Sequence, residues 1–128
     1  MASRTLIREL RCFAARSTLS RPIADATHVI PAIEFVVCEI ELVNGIVGQS
    51  YLLAFHYSPQ AIRGVLRDLA AFAVGREATA TQAFIRDWNH ETEYFGREGL
   101  QRWALGLANV AMWDAHARTL DVPVWRLL

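Results

Sequence analysis

The chain has no lysine: all 13 of its basic residues are arginine. Arginine stays protonated in proteins and serves poorly as a base, so chemistry that needs a lysine base, a Schiff base or a phosphate-loop lysine is excluded from these residues. Charge of either sign is also missing in excess, because 13 acidic side chains balance the 13 arginines. There is no net field to draw in nucleic acid or an anionic membrane surface. Only two cysteines occur, Cys12 and Cys38, without a C-x-x-C pair or a histidine cluster beside them. Two reduced thiols in a cytoplasmic protein is the expected state, although the two can face each other across neighbouring strands. No apolar run reaches the roughly 18 residues of a membrane helix, and no glycine-rich phosphate loop is present.

What is there suits one domain. At 128 residues a chain buries roughly two-thirds of its unfolded surface. Arg4, Arg8, Arg11, Arg16 and Arg21 among serines and threonines resemble a transit peptide, which Glu9 contradicts. Leu6, Ile7, Leu10, Phe13 and Ala14 fall at helical spacing, so periodicity alone favours a helix there. From Ile33 to Val43 the β-branched run alternates with Glu39 and Glu41 and predicts a half-buried strand. Asn44-Gly45 predicts a type I′ hairpin turn, returning from Ile46 to about Phe55, with Gly48 marking a kink or a close backbone approach.

Ser58-Pro59 then opens a helix as N-cap and first helical residue. Its apolar stripe is Ile62, Val65, Leu66, Leu69 and Ala73, and Gly75 stops it. A second helix is expected from near Thr81 through Trp88. A third, about Leu100 to Leu120, is apolar nearly all round and therefore central, with Gly106 and several alanines permitting close packing. Strands first and helices after predict an α+β fold. Ser17 to Ala32 lacks periodicity and reads as a long loop, too apolar at Ile23, Val29 and Ile30 to be a flexible linker.

Three constellations invite chemistry. His90-Glu91 followed by Tyr94 lacks the second histidine of a zinc helix, so a surface cluster is expected and no metal site. Trp113-Asp114-Ala115-His116 has no serine or cysteine partner, and Asp114 is placed to pair with Arg118 one turn on. Tyr51, Phe55, His56 and Tyr57 crowd a strand end before a helix cap, which suits either an aromatic corner of the core or the wall of a small-molecule site.

Three stretches together resemble the N-terminal domain of the mandelate racemase and muconate lactonizing family of the enolase superfamily, with the mandelate racemase subgroup nearest. They are Arg21-Pro22-Ile23 through Val43-Asn44-Gly45-Ile46-Val47-Gly48; Val47-Gly48-Gln49-Ser50-Tyr51-Leu52 with the aromatic and Ser58-Pro59 that follow; and Ala111-Met112-Trp113-Asp114 with Asp121-Val122-Pro123-Val124-Trp125-Arg126-Leu127-Leu128. Asn109 and Arg118 depart from residues common in the family, at packing or helix-end positions. Two residues between Phe55 and Ser58 are extra relative to the subgroup, which puts mandelate itself in doubt as the substrate.

The resemblance implies a three-stranded antiparallel meander followed by about three helices, and makes the N-terminal segment a strand rather than a helix. It also implies that residues 1–121 form a capping domain and residues 122–128 begin the link to a (β/α) barrel, which the apolar end at Trp125, Leu127 and Leu128 suits. In the family the barrel holds Mg²⁺ and removes a proton α to a carboxylate, as racemases and acid-sugar dehydratases do. The cap would contribute water exclusion and substrate choice through two lid elements, with Ile23, His28, Val29, Tyr51, Leu53, Phe55 and Tyr57 as the substrate-facing residues. No catalytic or metal-ligating residue is expected in this chain, which alone should be inactive. The expected partners are the barrel, a small carboxylate substrate and further copies in a homo-oligomer. The alternative is a free-standing ligand-binding or self-associating module without catalysis.

Overall fold

The computed structural model describes residues 4–54 and 58–128. Three strands, β1 (Ile7–Ala24), β2 (Val29–Leu42) and β3 (Val47–Leu53), form an antiparallel meander in the order β1-β2-β3. Helices α1 (Pro59–Ala73), α2 (Thr81–Glu91) and α3 (Leu100–Thr119) follow. The architecture is the expected α+β.

The helical spacing of Ile7 and Leu10 has a simple origin. The β1–β2 register slips between Ile7 and Glu9, where one extra residue is accommodated. A bulge of this kind turns two residues three apart toward one face, and both side chains are buried. Ile7 is also held from its other side, donating to the Arg76 carbonyl (2.8 Å) and accepting from the Gly75 amide (2.9 Å). The hairpin between β2 and β3 closes as expected but with another turn. The Gly45 amide donates to the Leu42 carbonyl and the Leu42 amide to the Ile46 carbonyl, each at 2.9 Å. Gly45 has φ +85° while Asn44 has none of the positive φ that a type I′ turn demands. The loop is thus a turn through Val43-Asn44 followed by a left-handed glycine, and Asn44 Oδ1 accepts from the Ile46 amide at 3.0 Å.

The expected loop from Ser17 to Ala32 is instead a protruding two-stranded ribbon, with β1 and β2 paired to Ala24 and Val29. Its register breaks between the pairs Thr18–Ala32 and Ile23–Ile30. Pro22 and Pro31 sit at that break, and neither has an N–H to give the ladder. The prolines hid the strand pattern in the sequence.

The inner face of the sheet carries Val36, Cys38, Ile40 and Leu42, packed on Ile62, Leu66 and Leu69 of α1 and on Ala104, Ala108, Ala111, Met112 and Ala115 of α3. Phe84 and Trp88 of α2 close the core against Phe72, the first edge-on at a ring separation of 5.3 Å and the second tilted at 5.1 Å. β3 lies directly on the α3 backbone. A Cβ added to Gly48 would meet the Ala111 carbonyl oxygen at 2.1 Å and the Ala115 nitrogen at 2.4 Å. Gly106, by contrast, has open space beside it, so it is not where α3 packs closely. Two further bonds join β3 to α3: Ser50 Oγ donates to the Leu107 carbonyl (2.6 Å) and the Gln49 amide to Asp114 (2.8 Å). Among the described residues no helix is long and apolar enough to cross a membrane.

Candidate functional site

The outer face of the sheet, away from the helices, is divided in two. Toward the β2–β3 turn it is charged. Arg8 and Arg11 grip Glu41, Arg11 also reaches Glu9 and Glu39 at 3.0 and 3.3 Å, and Gln49 donates to Glu39 at 2.7 Å. Arg8 and Arg11 hold the Glu41 carboxyl below its usual range, and Glu41, with Glu9 and Glu39, raises the Arg11 guanidinium. These groups satisfy one another at the surface and contribute little to stability. Toward the ribbon the same face is apolar. Ala15, Phe35, Val37 and Tyr51 line a shallow cleft of about 290 Å³, and Phe35 meets Tyr51 edge-on at 5.7 Å. A second cleft of about 340 Å³ lies on the other side of Tyr51, against Arg102, Trp103, Gly106 and Val110 of α3.

The residues expected to face a ligand fall into two groups at one end of the sheet. Tyr51 and Leu53 belong to β3 beside Phe35 and are 68% and 36% exposed. Ile23 and Val29 lie on the ribbon near its tip, 51% and 70% exposed, and His28 is in the tip turn. Leu53 pairs with Phe35 and Ile23 with Ile30, so the groups stand roughly 17 Å apart along β2 at about 3.3 Å per residue. The fold brings them to the same end without bringing them into contact. Phe55 and Tyr57 lie outside the described residues, as does His56.

The tip is ordered by Asp25. Its Oδ1 accepts from the Thr27 and His28 amides at 2.8 and 2.7 Å and from Thr27 Oγ1 at 3.2 Å. Those backbone amides, Thr27 first, pull the Asp25 carboxyl down to about 2. His28 Nδ1 lies 2.7 Å from Thr27 Oγ1 and 3.5 Å from Asp25, so its ring is oriented by the turn. The sequence signal for this was an Asp followed two residues later by Thr, a side-chain-closed turn. Phe35 and Val37 also had a signal in the sequence, since they share at period two the face of Glu39 and Glu41.

The other constellations stay structural. His90 and Glu91 are exposed at the end of α2, and Tyr94, 94% exposed, sits in a separate 3-10 turn, Glu93–Phe95. Asp114 meets Arg118 at 2.9 Å as well as the Gln49 amide, and His116 stacks on Trp113. Among the described residues no three His, Cys, Asp or Glu side chains are grouped to hold a metal ion.

A meander with a long ribbon, three helices and a strand resting on a helix backbone is a specific arrangement, and it is matched. The family model for the mandelate racemase / muconate lactonizing enzyme, N-terminal domain, covers residues 7–128. The chain belongs to this family. An enolase from alpha pretobacterium bal199 with bound Mg superposes with TM-score 0.83 at 26% identity, covering 95% of this chain and 34% of that one. An enolase from Bradyrhizobium complexed with magnesium and mandelic acid gives 0.86 at 23%, covering 99% and 35%. L-Talarate dehydratase from Polaromonas sp. JS666, complexed with Mg and L-glucarate, gives 0.86 at 22%, covering 95% and 34%. This mandelate racemase-family domain therefore spans about a third of the length of these relatives. Among the described residues, Asp87, Asp114, Glu39 and Glu41 are each engaged by arginines.

Proposed function

We propose that this domain is the cap of a Mg²⁺-dependent racemase or acid-sugar dehydratase whose reaction begins with removal of a proton α to a carboxylate. The observation that carries this reading is a pair of exposed apolar groups, Phe13, Tyr51 and Leu53 on the outer face of the sheet and Ile23 and Val29 on the ribbon that extends from it. They belong to a family domain that spans a third of its relatives' length. An apolar surface of this kind is suited to covering something. Ile23 and Val29 reach over the site from the ribbon, and Tyr51 and Leu53 wall it from β3. Together they exclude water and read the substrate side chain, and His28 at the tip offers a polar contact to a hydroxyl or carboxylate.

Excluding water strengthens every charge interaction inside the closed site, so the cap influences rate as well as affinity. Acid, base and metal ligands come from outside this chain, from the (β/α) barrel that follows the cap in the family, and the isolated chain is inert. We place the protein in the cytoplasm, as a homo-oligomer acting on a small carboxylic acid.

The test is exchange of the α-hydrogen for deuterium in D₂O with Mg²⁺, across a panel of 2-hydroxy acids and acid sugars. It compares the product of the whole reading frame with the 128-residue chain. Exchange by the whole product and none by the isolated chain is expected. Turnover by the isolated chain, or none by the whole product on any such acid, overturns the assignment.

A further inference from the structure

Cys12 and Cys38 are direct partners in the β1–β2 register, and both are free thiols. Backbone bonding settles which kind of pair they form. In β2 the Glu34 carbonyl accepts from Ala54, and the Leu42 amide donates to Ile46. Cys38 lies four residues from each, so its backbone groups also point to β3 and not to β1. The Cys12–Cys38 pair is then of the non-hydrogen-bonded kind, whose Cα atoms approach to about 4.5 Å with side chains on one face. That separation falls within the range of about 4.4–6.8 Å that a disulfide spans without backbone movement. The two thiols differ in access: Cys38 is fully buried under the helices, while Cys12 is half-buried with its thiol toward the Arg63 carbonyl at 3.9 Å.

We propose that Cys12 and Cys38 are a dithiol pair that a small disulfide oxidant of the glutathione class converts into a cross-strand disulfide, stapling β1 to β2 within the three-stranded part of the sheet. The Cys12 thiol loses its proton to solvent and its sulfur attacks the oxidant. The oxidant's S–S bond breaks, and one thiolate leaves and takes up a proton. The Cys38 sulfur then attacks Sγ of Cys12, its proton passing to the departing thiolate as the mixed disulfide breaks, and the second thiol is released. The protein loses two electrons and two protons, and the oxidant gains them. Cys12 is the entry thiol, because burial pushes the Cys38 thiol up to about 12 and only a thiolate attacks well.

The experiment treats the folded protein with oxidised glutathione and maps its peptides without reduction, beside the variants Cys38→Ser and Cys12→Ser. Expected is one bridge per chain joining the Cys12–Arg16 tryptic peptide to the peptide that carries Cys38, with a rise in Tm on the order of 5–10 °C. Cys38→Ser should retain glutathione on Cys12, and Cys12→Ser should stay unmodified while folded. A stable glutathione adduct on the wild-type Cys12, bridges only between chains, or modification of Cys12→Ser at the wild-type rate overturns the proposal.

Discussion

Replacing Gly48 by alanine tests how tightly the meander is seated on α3. The new Cβ would meet the Ala111 carbonyl oxygen at 2.1 Å, the Ala115 nitrogen at 2.4 Å and the Ala115 Cβ at 2.7 Å. Two of the three obstacles are helix backbone, so no side-chain rotation relieves them. Relief requires β3 and α3 to part by roughly 1 Å, against the grip of the Gln49–Asp114 and Ser50–Leu107 bonds made by the two residues that follow Gly48. Overpacking alone costs about 1–3 kcal/mol. Weakening two bonds, one to a carboxylate, adds about 1–2 kcal/mol. The expected loss is about 2–5 kcal/mol, which for a domain of this size lowers Tm by roughly 6–20 °C. The same substitution at Gly106, also on the α3 side of the molecule but with nothing near its Cβ position, should stabilise by about 0.5–1 kcal/mol, because glycine is the poorer helix former. Urea unfolding followed by tryptophan fluorescence and circular dichroism measures both. A Gly48→Ala variant within about 0.5 kcal/mol of the parent, or equal damage from Gly106→Ala, refutes the close approach.

Asp114→Ala should cost about 1–2 kcal/mol in the same unfolding assay, because it removes the acceptor of the Gln49 amide as well as the Arg118 pair. Arg118→Ala should cost at most about 0.5 kcal/mol, since that pair is largely exposed. The Asp25 carboxyl is depressed to about 2, below its unfolded value of about 3.9, so its support of the ribbon tip is complete above about pH 4 and fades as pH falls through 2. The protection of the Thr27 and His28 amides, taken relative to their intrinsic exchange rate at each pH, should fall over that window, and Asp25→Ala should lack that protection already at neutral pH. Tyr51→Ala should leave Tm within about 2 °C, given its exposure, while lowering kcat/KM of the whole reading-frame product at least about tenfold, about 1.4 kcal/mol of transition-state binding.

Helices α1 and α3 were legible because each carried its own punctuation, and α2 from its apolar spacing alone. Pro59 opens α1, Gly75 with φ +79° ends its last turn, and Gly99 with φ +66° precedes α3. β2 was legible from alternation. β1 was not, because the bulge after Ile7 places two core residues three apart and mimics a helix stripe. The ribbon was missed for a related reason, since Pro22 and Pro31 break its ladder and its residues, nearly all exposed, leave no burial period to read. Of the site, the apolar identity of Ile23, Val29, Tyr51 and Leu53 was readable from their positions in the chain. Their arrangement depends on a register that only the folded sheet displays. The same is true of the Cys12–Cys38 pair, 26 residues apart in sequence and adjacent across two strands.

The most direct test of the capping assignment is steady-state kinetics of the whole reading-frame product on 2-hydroxy acids and acid sugars graded by side-chain size. The parent is compared with Ile23→Ala, Val29→Ala and Tyr51→Ala. The account predicts an altered order of kcat/KM among the acids, with Mg²⁺ affinity and Tm unchanged, because the proposed role of these residues is to face the substrate and not the metal. An unchanged order in all three variants contradicts it.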